Sequence, residues 1–357
     1  MNRTIHQFHY TVSDHDAVGN HLRLIQRALR QEGIGGEIFA CEDRTHGATV
    51  RRFVPGALSG ADLVLVHHSQ GNPALDRVLA ENAPKALLYH NITPENFFRH
   101  DPYVAELSRL GRQQLHAFHG KVVAAFGDSR FNCAELRVMG FSHAEVFPLL
   151  DLDPTPAVPS PKVSGLRRLT FVGRIAHHKN QAFLVEVLAE LERAFPGHYE
   201  LWLAGKADPL YGTYLSLLAK ARGVSEIVNC RSGMNETQLR ALYASSHAFV
   251  CASLHEGFCV PLVEAMQAGL PVFALPTTGI RGTLGHSGIR MANRSPRDFA
   301  HTIHATLGEP EAVETTVQGQ AAQLGELARW HNAARIRTLC ASLMPGQAAP
   351  PTPEGYL

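Results

Sequence analysis

The chain has 357 residues, of which 45% are hydrophobic and 18% are charged. This length predicts about two domains, and the apolar content excludes a chain that is disordered throughout. With 33 Lys and Arg against 32 Asp and Glu, the net charge of +1 argues against a dedicated nucleic-acid binder. The apolar runs, such as 61–66, are too short to span a bilayer, and the N-terminal stretch lacks an apolar signal-peptide core. We therefore expect a cytoplasmic protein, with a peripheral contact at the inner face of the cell membrane left open.

Cysteine and histidine usage gives no metal motif. The six cysteines form no CxxC pair, so we expect small buried hydrophobes in a reducing compartment. Histidine is frequent, with 21 residues, but no HExxH occurs and the histidine pairs lack acidic or cysteine partners at ligand spacing. These pairs are His67-His68, His177-His178, His116/His119 and His301/His304. The sequence therefore predicts no metal site.

Short β-rich apolar runs alternate with amphipathic stretches along the first half of the chain. The run 5–12 predicts a strand, and 19–31 has apolar residues at helical spacing. Further strands are predicted at 37–41, 63–67, 86–90 and 122–126, with crossover helices at 72–80 and 130–138. Such alternation is typical of a parallel sheet that is covered by helices on both faces.

The same alternation restarts after a proline-rich segment. Four prolines in 151–164 predict a stiff, exposed linker. Strands are then predicted at 168–172, 199–204, 227–229, 247–251 and 271–274, and helices at 180–194, 211–221, 236–243 and 261–268. The segment 318–343 is predicted to be helical and to pack near the interdomain face, before a mobile tail. Two doubly wound α/β domains follow from this pattern, with a ligand site expected in the cleft between them.

Two common nucleotide motifs are missing, but a third arrangement suits a nucleotide. Neither GxxxxGK[ST] nor a GxGxxG after the first strand is present. In HEGFCVPLVEAMQAG, 255–269, Glu256 and Glu264 flank the start of a predicted helix. Backbone N–H groups at a helix N-terminus favour anions, whereas ionised carboxylates accept hydrogen bonds from hydroxyls. A pyrophosphate between two polyols fits both features, and such a ligand is a nucleotide sugar.

A basic pair follows the first strand of the second domain. In FVGRIAHHKNQ, Arg174 and Lys179 flank a turn from strand to helix. A guanidinium fork and an ammonium both suit phosphate oxygens, so the pair could neutralise a departing diphosphate without a metal. Plain surface charge is the alternative, and the position after Gly173 at a strand end counts against it.

The second half resembles retaining glycosyltransferases of family 4, which have the GT-B fold. The matching segments are GRIAHHKNQ, LWLAGKAD, YASSHAFVCASLHEGFCVPLVEAM and AGLPVFA, in the family's order and spacing. Looser matches to the acceptor-side domain are DAVGNHLRLIQRALRQEGIGGEIFA, LLYHNITP and FGDSRFNCAELRVMGF. The resemblance covers most of 1–340. It implies an acceptor-side domain over 1–150 and a donor-binding domain over 165–330, with a C-terminal helix and tail over 331–357.

The resemblance also implies roles for matching residues. The donor side comprises Gly173, Arg174, Lys179, Glu256, Gly257, Phe258, Cys259, Val260 and Glu264, and the acceptor side comprises Asp16, Gly19, His90 and Asn91. The catalytic residues among them are His90, Glu256, Arg174 and Lys179. Lys179 and Arg174 would bind the donor diphosphate, Glu256 the transferred sugar and Glu264 the ribose diol. Cys259 stands where the family most often has glycine, and nucleobase contacts are placed loosely at 230–234.

The implied activity is transfer of a hexose, such as mannose, from a nucleotide-diphosphate sugar to a glycan or lipid-linked acceptor. The resemblance suggests polysaccharide or lipopolysaccharide assembly, with no cofactor and no metal. Asp151 and Asp153 form a DxD, which we interpret as linker acidity. Two alternatives stay open: another enzyme of this fold, such as a nucleotide-sugar epimerase or a phosphorylase, or a catalytically silent sugar-nucleotide-binding subunit.

Overall fold

The computed structural model describes residues 3–14, 16–45, 50–153 and 165–343. The chain divides into two compact units, one made of 1–152 and 328–357 and the other of 153–327. Most of the predicted linker and the whole predicted tail after 343 lie outside the described residues.

The first unit contains nine strands and five helices among its described residues. The strands are β1 Ile5–Phe8, β2 Thr11–Ser13, β3 Ile38–Ala40, β4 Glu42–Arg44, β5 Val50–Arg52, β6 Leu63–His68, β7 Lys85–Tyr89, β8 Ala124–Gly127 and β9 Glu145–Val146. The helices are α1 Ala17–Arg30, α2 Leu75–Leu79, α3 Pro102–Gln114, α4 Arg130–Val138 and, from the end of the chain, α12 Ala333–Ser342.

Seven of these strands form one parallel sheet in the order β5-β3-β1-β6-β7-β8-β9. Every residue of β6 and β7 is buried, as expected for strands with helices on both faces. The strands β2 and β4 pair separately, also in parallel.

The helix α12 completes the core of the first unit. The N-terminus of α1 is capped by Asp16, which accepts a hydrogen bond from the Gly19 N–H at 2.7 Å. On the apolar face of α1, Ile25 is fully buried in the same cluster as Ile336 of α12. Burying such aliphatic side chains stabilises the unit by roughly 1.5–3 kcal/mol each.

The second unit has six strands and seven helices among its described residues. The strands are β10 Arg167–Val172, β11 Tyr199–Ala204, β12 Val228–Arg231, β13 Ala248–Cys251, β14 Val272–Ala274 and β15 Ile289–Arg290. The helices are α5 Gln181–Ala194, α6 Pro209–Ala221, α7 Glu236–Ser245, α8 Val260–Gln267, α9 Thr278–Leu284, α10 Pro296–Gly308 and α11 Pro310–Ala328. The sheet is parallel throughout, in the order β12-β11-β10-β13-β14-β15.

Three expectations from the sequence differ from the structure. The predicted strand 5–12 is interrupted at His9 and Tyr10, because β2 leaves the main sheet to pair with β4. The predicted helix 318–343 is two helices, since Asn332 caps the start of α12 by accepting from the Arg335 N–H at 2.8 Å. Cys230 is exposed and Cys41 is half-buried, whereas the other four cysteines are buried.

Across the described residues, no helix combines the length and the apolar character needed to cross a bilayer.

Candidate functional site

The order of strands in the second unit reverses between β10 and β13. Chain order descends from β12 to β10 on one side and ascends from β13 to β15 on the other. In doubly wound sheets, ligands bind beyond the carboxyl ends of the strands at such a switch point. The segments 173–180 and 252–259, which follow β10 and β13, therefore stand where a ligand is expected.

The turn after β10 is fixed by backbone contacts. Gly173 has φ +144°, and a Cβ on Gly205 would lie 1.9 Å from the Gly173 carbonyl oxygen, so glycine is required at this close approach. The Gln181 side chain donates to the Arg174 carbonyl at 2.9 Å and accepts from the Ala176 N–H at 3.3 Å. A rigid backbone thus presents the Arg174 side chain, which is exposed.

Lys179 and Glu256 meet across the switch point. Lys179 Nζ donates to Glu256 Oε2 at 2.6 Å, and the two side chains are only 18% and 10% exposed. Burial lowers the pKa of Lys179, but the charge and hydrogen bond of Glu256, together with the nearby Cys259 and Cys251, outweigh burial and hold that pKa above its usual value. Lys179 is therefore charged at neutral pH, as a phosphate-binding lysine must be.

The loop that carries Glu256 is held by the first turn of α9. Thr278 Oγ1 accepts from the Glu256 N–H at 2.8 Å and donates to the Glu256 carbonyl at 2.9 Å. A Cβ on Gly279 would lie 2.0 Å from the Gly257 carbonyl oxygen, so only glycine lets α9 approach this closely. Neither Thr278 nor Gly279 is predicted from the sequence, because their contacts with the Glu256 loop form only in the folded unit.

The rest of the loop leads into α8. The Phe258 side chain is buried, and its carbonyl accepts from Thr283 Oγ1 at 2.5 Å. Cys259 is the N-cap residue with φ +73°, and Val260 begins the helix. This left-handed conformation favours glycine, which gives a physical reason for the glycine that the resemblance expects here. A hydrogen bond with Cys251 and burial raise the pKa of the Cys259 thiol well above its usual value, so it stays protonated.

The left-handed backbone at Cys259 predicts an ordered set of substitutions. We expect Cys259→Gly to change the free energy of unfolding by at most about 1 kcal/mol, because relief of strain offsets the lost thiol packing. Cys259→Val should destabilise by at least about 1–2 kcal/mol more, since a β-branched side chain is strongly disfavoured at positive φ. Chemical denaturation of both variants measures this. Equal stability of the two would contradict the assigned backbone conformation.

Glu264 is held one turn inside α8. Its Oε2 accepts from the Tyr243 hydroxyl at 2.8 Å. Burial raises the pKa of Glu264, and the Tyr243 hydrogen bond opposes that shift only in part. Burial, together with the Glu264 charge, also raises the pKa of Tyr243 well above its usual value. A half-buried carboxylate with one oxygen held by Tyr243 keeps further capacity to accept hydrogen bonds. Tyr243 is a second residue that the sequence analysis missed.

The structure thus brings Lys179, Glu256 and the start of α8 together at one edge of the sheet. The segment 230–234 comprises the last two residues of β12 and the three residues after it, at the same edge, and its residues are exposed or half-buried.

In the first unit, the strand order reverses between β1 and β6. Histidines cluster at this switch point: His67 near the end of β6 and His90 directly after β7. His90 Nδ1 lies 2.9 Å from Asp128 Oδ2, and His90 Nε2 lies 2.7 Å from His67 Nδ1. Burial lowers the pKa of His67 well below its usual value and lowers that of His21, on α1, to about 3. The predicted residue His90 is therefore one member of a buried network.

The other predicted residues of the first unit have local structural partners. Asp16 caps α1, and a Cβ on Gly19 would lie 2.3 Å from the Ser13 carbonyl oxygen, so α1 begins tightly against β2. Asn91, at φ +54°, donates its amide to Glu135 Oε2 at 2.8 Å. These contacts position the backbone around the end of β7 and the start of α1.

A family model matches the second unit. Residues 158–322 match the family described as glycosyl transferases group 1. Over 104 residues the chain is 36% identical to the GDP-mannose:cellobiosyl-diphosphopolyprenol alpha-mannosyltransferase of Komagataeibacter xylinus, covering 29% of this chain and 26% of that protein. Over 217 residues it is 29% identical to the D-inositol 3-phosphate glycosyltransferase of Frankia alni, covering 56% and 53% of the two chains. The matched part thus spans from a quarter to about half of the length of these relatives.

Solved structures match the whole architecture. Sucrose-phosphate synthase from Thermosynechococcus elongatus matches with a TM-score of 0.73 at 15% identity, over 95% of this chain and 98% of that chain. WaaG, a glycosyltransferase involved in lipopolysaccharide biosynthesis, matches with a TM-score of 0.69 at 13% identity, over 96% and 100%. These likenesses confirm the predicted GT-B fold with its two doubly wound α/β units. Within this fold, the match to the glycosyl transferases group 1 family lies in the second unit, over 158–322.

Proposed function

We propose that the chain is a retaining glycosyltransferase that uses a nucleotide-diphosphate sugar. The observation that carries the proposal is the Lys179–Glu256 pair, 2.6 Å apart at the switch point of the unit that matches the family. One charge suits a diphosphate and the other suits sugar hydroxyls. The two charges neutralise each other until a donor with both chemistries arrives.

In this mechanism the donor diphosphate lies against Arg174, Lys179 and the start of α8. An ammonium has three N–H donors, so Lys179 can keep its hydrogen bond to Glu256 while it donates further hydrogen bonds to phosphate oxygens. Arg174 stands on a fixed backbone with an exposed side chain, so its guanidinium can close on the phosphates. These donors stabilise the charge that builds on the leaving diphosphate, which is commonly the largest catalytic contribution.

The two carboxylates bind the two polyols of the donor. Glu256, positioned by Thr278, holds the hydroxyls of the transferred sugar. Glu264, held by Tyr243, accepts from the ribose diol. A diol supplies two O–H donors, and a carboxylate supplies two accepting oxygens.

The chemical step follows from these positions. The bond from the anomeric carbon to the diphosphate oxygen breaks, and its electron pair stays on the diphosphate. The acceptor hydroxyl forms its new bond to that carbon on the same face and gives its proton to the departing diphosphate. Configuration is thereby retained without a protein nucleophile.

We assign the acceptor to the first unit, where Asn91, Asp16 and Gly19 match the family's acceptor-side pattern. His90 matches it too, but Asp128 and His67 engage both of its ring nitrogens, so we give His90 a positioning role behind the acceptor. The proposed acceptor is a glycan or a lipid-linked molecule. The proposed location is the cytoplasm, with a peripheral contact at the membrane. The relative from Komagataeibacter is named for GDP-mannose and a diphosphopolyprenol-linked acceptor, which favours mannose and a lipid-linked glycan as first candidates.

The deciding experiment is a thermal-shift screen with UDP-, GDP-, ADP- and dTDP-sugars, followed by a transfer assay with the donor that binds. A ligand that binds only the folded state raises the melting temperature by mass action. Stabilisation by one nucleotide sugar and formation of a glycosylated acceptor support the proposal. Epimerised donor or phosphorolysis would indicate another enzyme of this fold. Tight donor binding without any product would indicate a silent binding subunit.

Transfer should proceed without added Mg²⁺ or Mn²⁺, because Arg174, Lys179 and the start of α8 supply the charge that a metal would otherwise supply. We expect the rate to stay within about twofold after brief chelation. Asp151 serves the fold instead: its Oδ1 accepts from the Ala333 N–H at 2.9 Å. The double variant Asp151→Ala/Asp153→Ala should lower stability and leave the rate per folded molecule unchanged. Loss of activity on chelation with recovery by Mg²⁺ would refute a metal-free diphosphate site.

A further inference from the structure

Three buried histidines converge inside the first unit. One ring nitrogen from each of His21, His67 and His90 lies within 4.8 Å of the other two. The residues come from α1, from β6 and from the position after β7. His21 and His67 are each 1% exposed and His90 is 9% exposed, so solvent does little to satisfy their ring nitrogens.

The outer nitrogen of two of these rings faces an oxygen that can only accept. His21 Nε2 lies 2.8 Å from the Pro148 carbonyl oxygen. His90 Nδ1 lies 2.9 Å from the Asp128 carboxylate. Because carbonyl and carboxylate oxygens accept, the ring proton must sit on His21 Nε2 and on His90 Nδ1.

The third ring is oriented in the same way. His67 Nε2 lies 3.1 Å from Gln7 Oε1. The orientation of the Gln7 amide is set by its NH₂ group, which donates to the Leu22 carbonyl at 2.9 Å. His67 therefore donates from Nε2, and its remaining proton-free nitrogen is Nδ1.

The three inner nitrogens are consequently lone pairs in the neutral rings. His67 Nδ1 and His90 Nε2 lie only 2.7 Å apart, and two lone pairs approach this closely only with a cation between them. His21 Nδ1 is buried and has no hydrogen-bond partner within the described part of the chain. A buried acceptor without a hydrogen-bond donor destabilises the folded protein.

We propose that His21, His67 and His90 bind one divalent transition-metal ion of the zinc type. Imidazole nitrogens suit such ions. Metal-bound histidines characteristically donate their other N–H to a carboxylate, a carbonyl or a comparable oxygen, and all three rings already do so. One ion satisfies all three lone pairs, whereas a shared proton satisfies only the pair formed by His67 and His90. Three protein ligands also leave a fourth tetrahedral position for water.

Loading the site requires the three rings to adjust, because their ligand nitrogens lie within 4.8 Å of one another and must all reach tetrahedral spacing. Zinc–nitrogen bonds of about 2.0–2.1 Å in tetrahedral geometry place ligand nitrogens about 3.3 Å apart. His67 Nδ1 and His90 Nε2 are 2.7 Å apart, so they must separate by roughly 0.6 Å. The His21 ring, centred 5.6 Å from His67 and 5.3 Å from His90 in edge-on orientation, closes the third side.

The test measures metal content and does not depend on transferase activity. Untagged protein, purified in chelator-free buffer, should contain about one zinc per chain by elemental analysis. Stripped protein should take up one equivalent of Co²⁺ with the visible absorption bands of tetrahedral cobalt, and Zn²⁺ should raise its melting temperature. Metal below about 0.1 equivalents, together with no uptake by the stripped protein, would overturn the proposal, and a proton between His67 and His90 would then be the cation.

Variants localise the ion. His21→Gln should abolish uptake, and Asp128→Asn, which keeps all three ligands, should weaken affinity by about 10- to 100-fold. The matched control is His68→Gln, which should leave metal uptake unchanged. His68 is equally buried on β6, but its Nε2 lies 2.7 Å from the Gly111 carbonyl and it is not one of the three ligands. Uptake that survives in a folded His21→Gln, or an affinity that is unchanged in Asp128→Asn, would show adventitious binding and refute the site. Mg²⁺ does not replace zinc at nitrogen ligands, so failure here is distinguishable from failure of the metal-free transfer mechanism.

Discussion

Replacing Lys179 with Ala should reduce sugar transfer by about 10- to 100-fold, because the leaving diphosphate loses one charged hydrogen-bond donor. The Lys179 ammonium lies 2.6 Å from Glu256 Oε2 with both side chains largely buried. Its loss removes a charge-assisted contact to the diphosphate worth about 1.5–3 kcal/mol. It also leaves the Glu256 carboxylate buried without its partner, so the melting temperature should fall as well.

A second substitution separates the two effects. In Lys179→Ala/Glu256→Gln the buried charge is gone, so stability should recover while transfer stays low. A double-mutant cycle of the two single variants and the double variant then measures the coupling free energy between Lys179 and Glu256. Lys220→Ala is the control, because Lys220 is an exposed lysine on α6. If the double variant regained transfer together with stability, the lysine would serve the fold alone and the proposed donor site would be wrong.

Much of the second unit can be predicted from the sequence because its signals are local. The strands and helices there follow from apolar runs and helical spacing, and Glu256 and Glu264 are recognisable from one short segment. The contacts that position them are not local. Thr278 lies 22 residues from Glu256, whose backbone it holds, and Tyr243 lies 21 residues from Glu264, whose carboxylate it holds. Only the folded sheet brings these residues together.

The first unit shows where sequence patterns fail. The sequence analysis predicts no helix at α3, whose fully buried residues are Ser108 and Gly111, while its apolar Val104, Leu107 and Leu110 are only half-buried. Gly111 is there because a Cβ would lie 2.6 Å from the Gly71 N atom, a constraint that no pattern shows. His67 and His90 are 23 residues apart and meet His21 only through the parallel sheet. Metal-ligand spacing rules therefore cannot find this cluster.

Glu264→Gln should weaken nucleoside diphosphate binding and, at the same time, stabilise the ligand-free protein. Two charge-assisted hydrogen bonds from the ribose diol become neutral ones, so we expect a loss in affinity of about 10- to 100-fold. Burial raises the pKa of Glu264 above 4.5 in the folded state, so the folded protein binds this proton more tightly than the unfolded chain. Stability therefore falls as the pH rises through that pKa, and at neutral pH the charged carboxylate is a cost that glutamine removes.

The pH dependence makes this prediction specific. The gain in melting temperature of Glu264→Gln over wild type should be present at pH 7 and should shrink as the pH is lowered towards 4.5, where Glu264 becomes protonated in the folded protein.

Glu256→Gln should act differently, with a larger effect on turnover than on affinity for the free nucleoside diphosphate. Glu236→Gln is the matched control, because Glu236 is exposed and acts on Glu264 only through its charge, which adds to the raised pKa of Glu264. Its replacement leaves the Glu264 carboxylate in place, so nucleotide affinity should be unchanged. Calorimetric titration of the bare nucleotide, alongside melting curves across pH, measures all three. If Glu256→Gln lost the bare nucleotide while Glu264→Gln kept it, the two carboxylates would have the opposite roles, with Glu256 on the ribose and Glu264 on the transferred sugar.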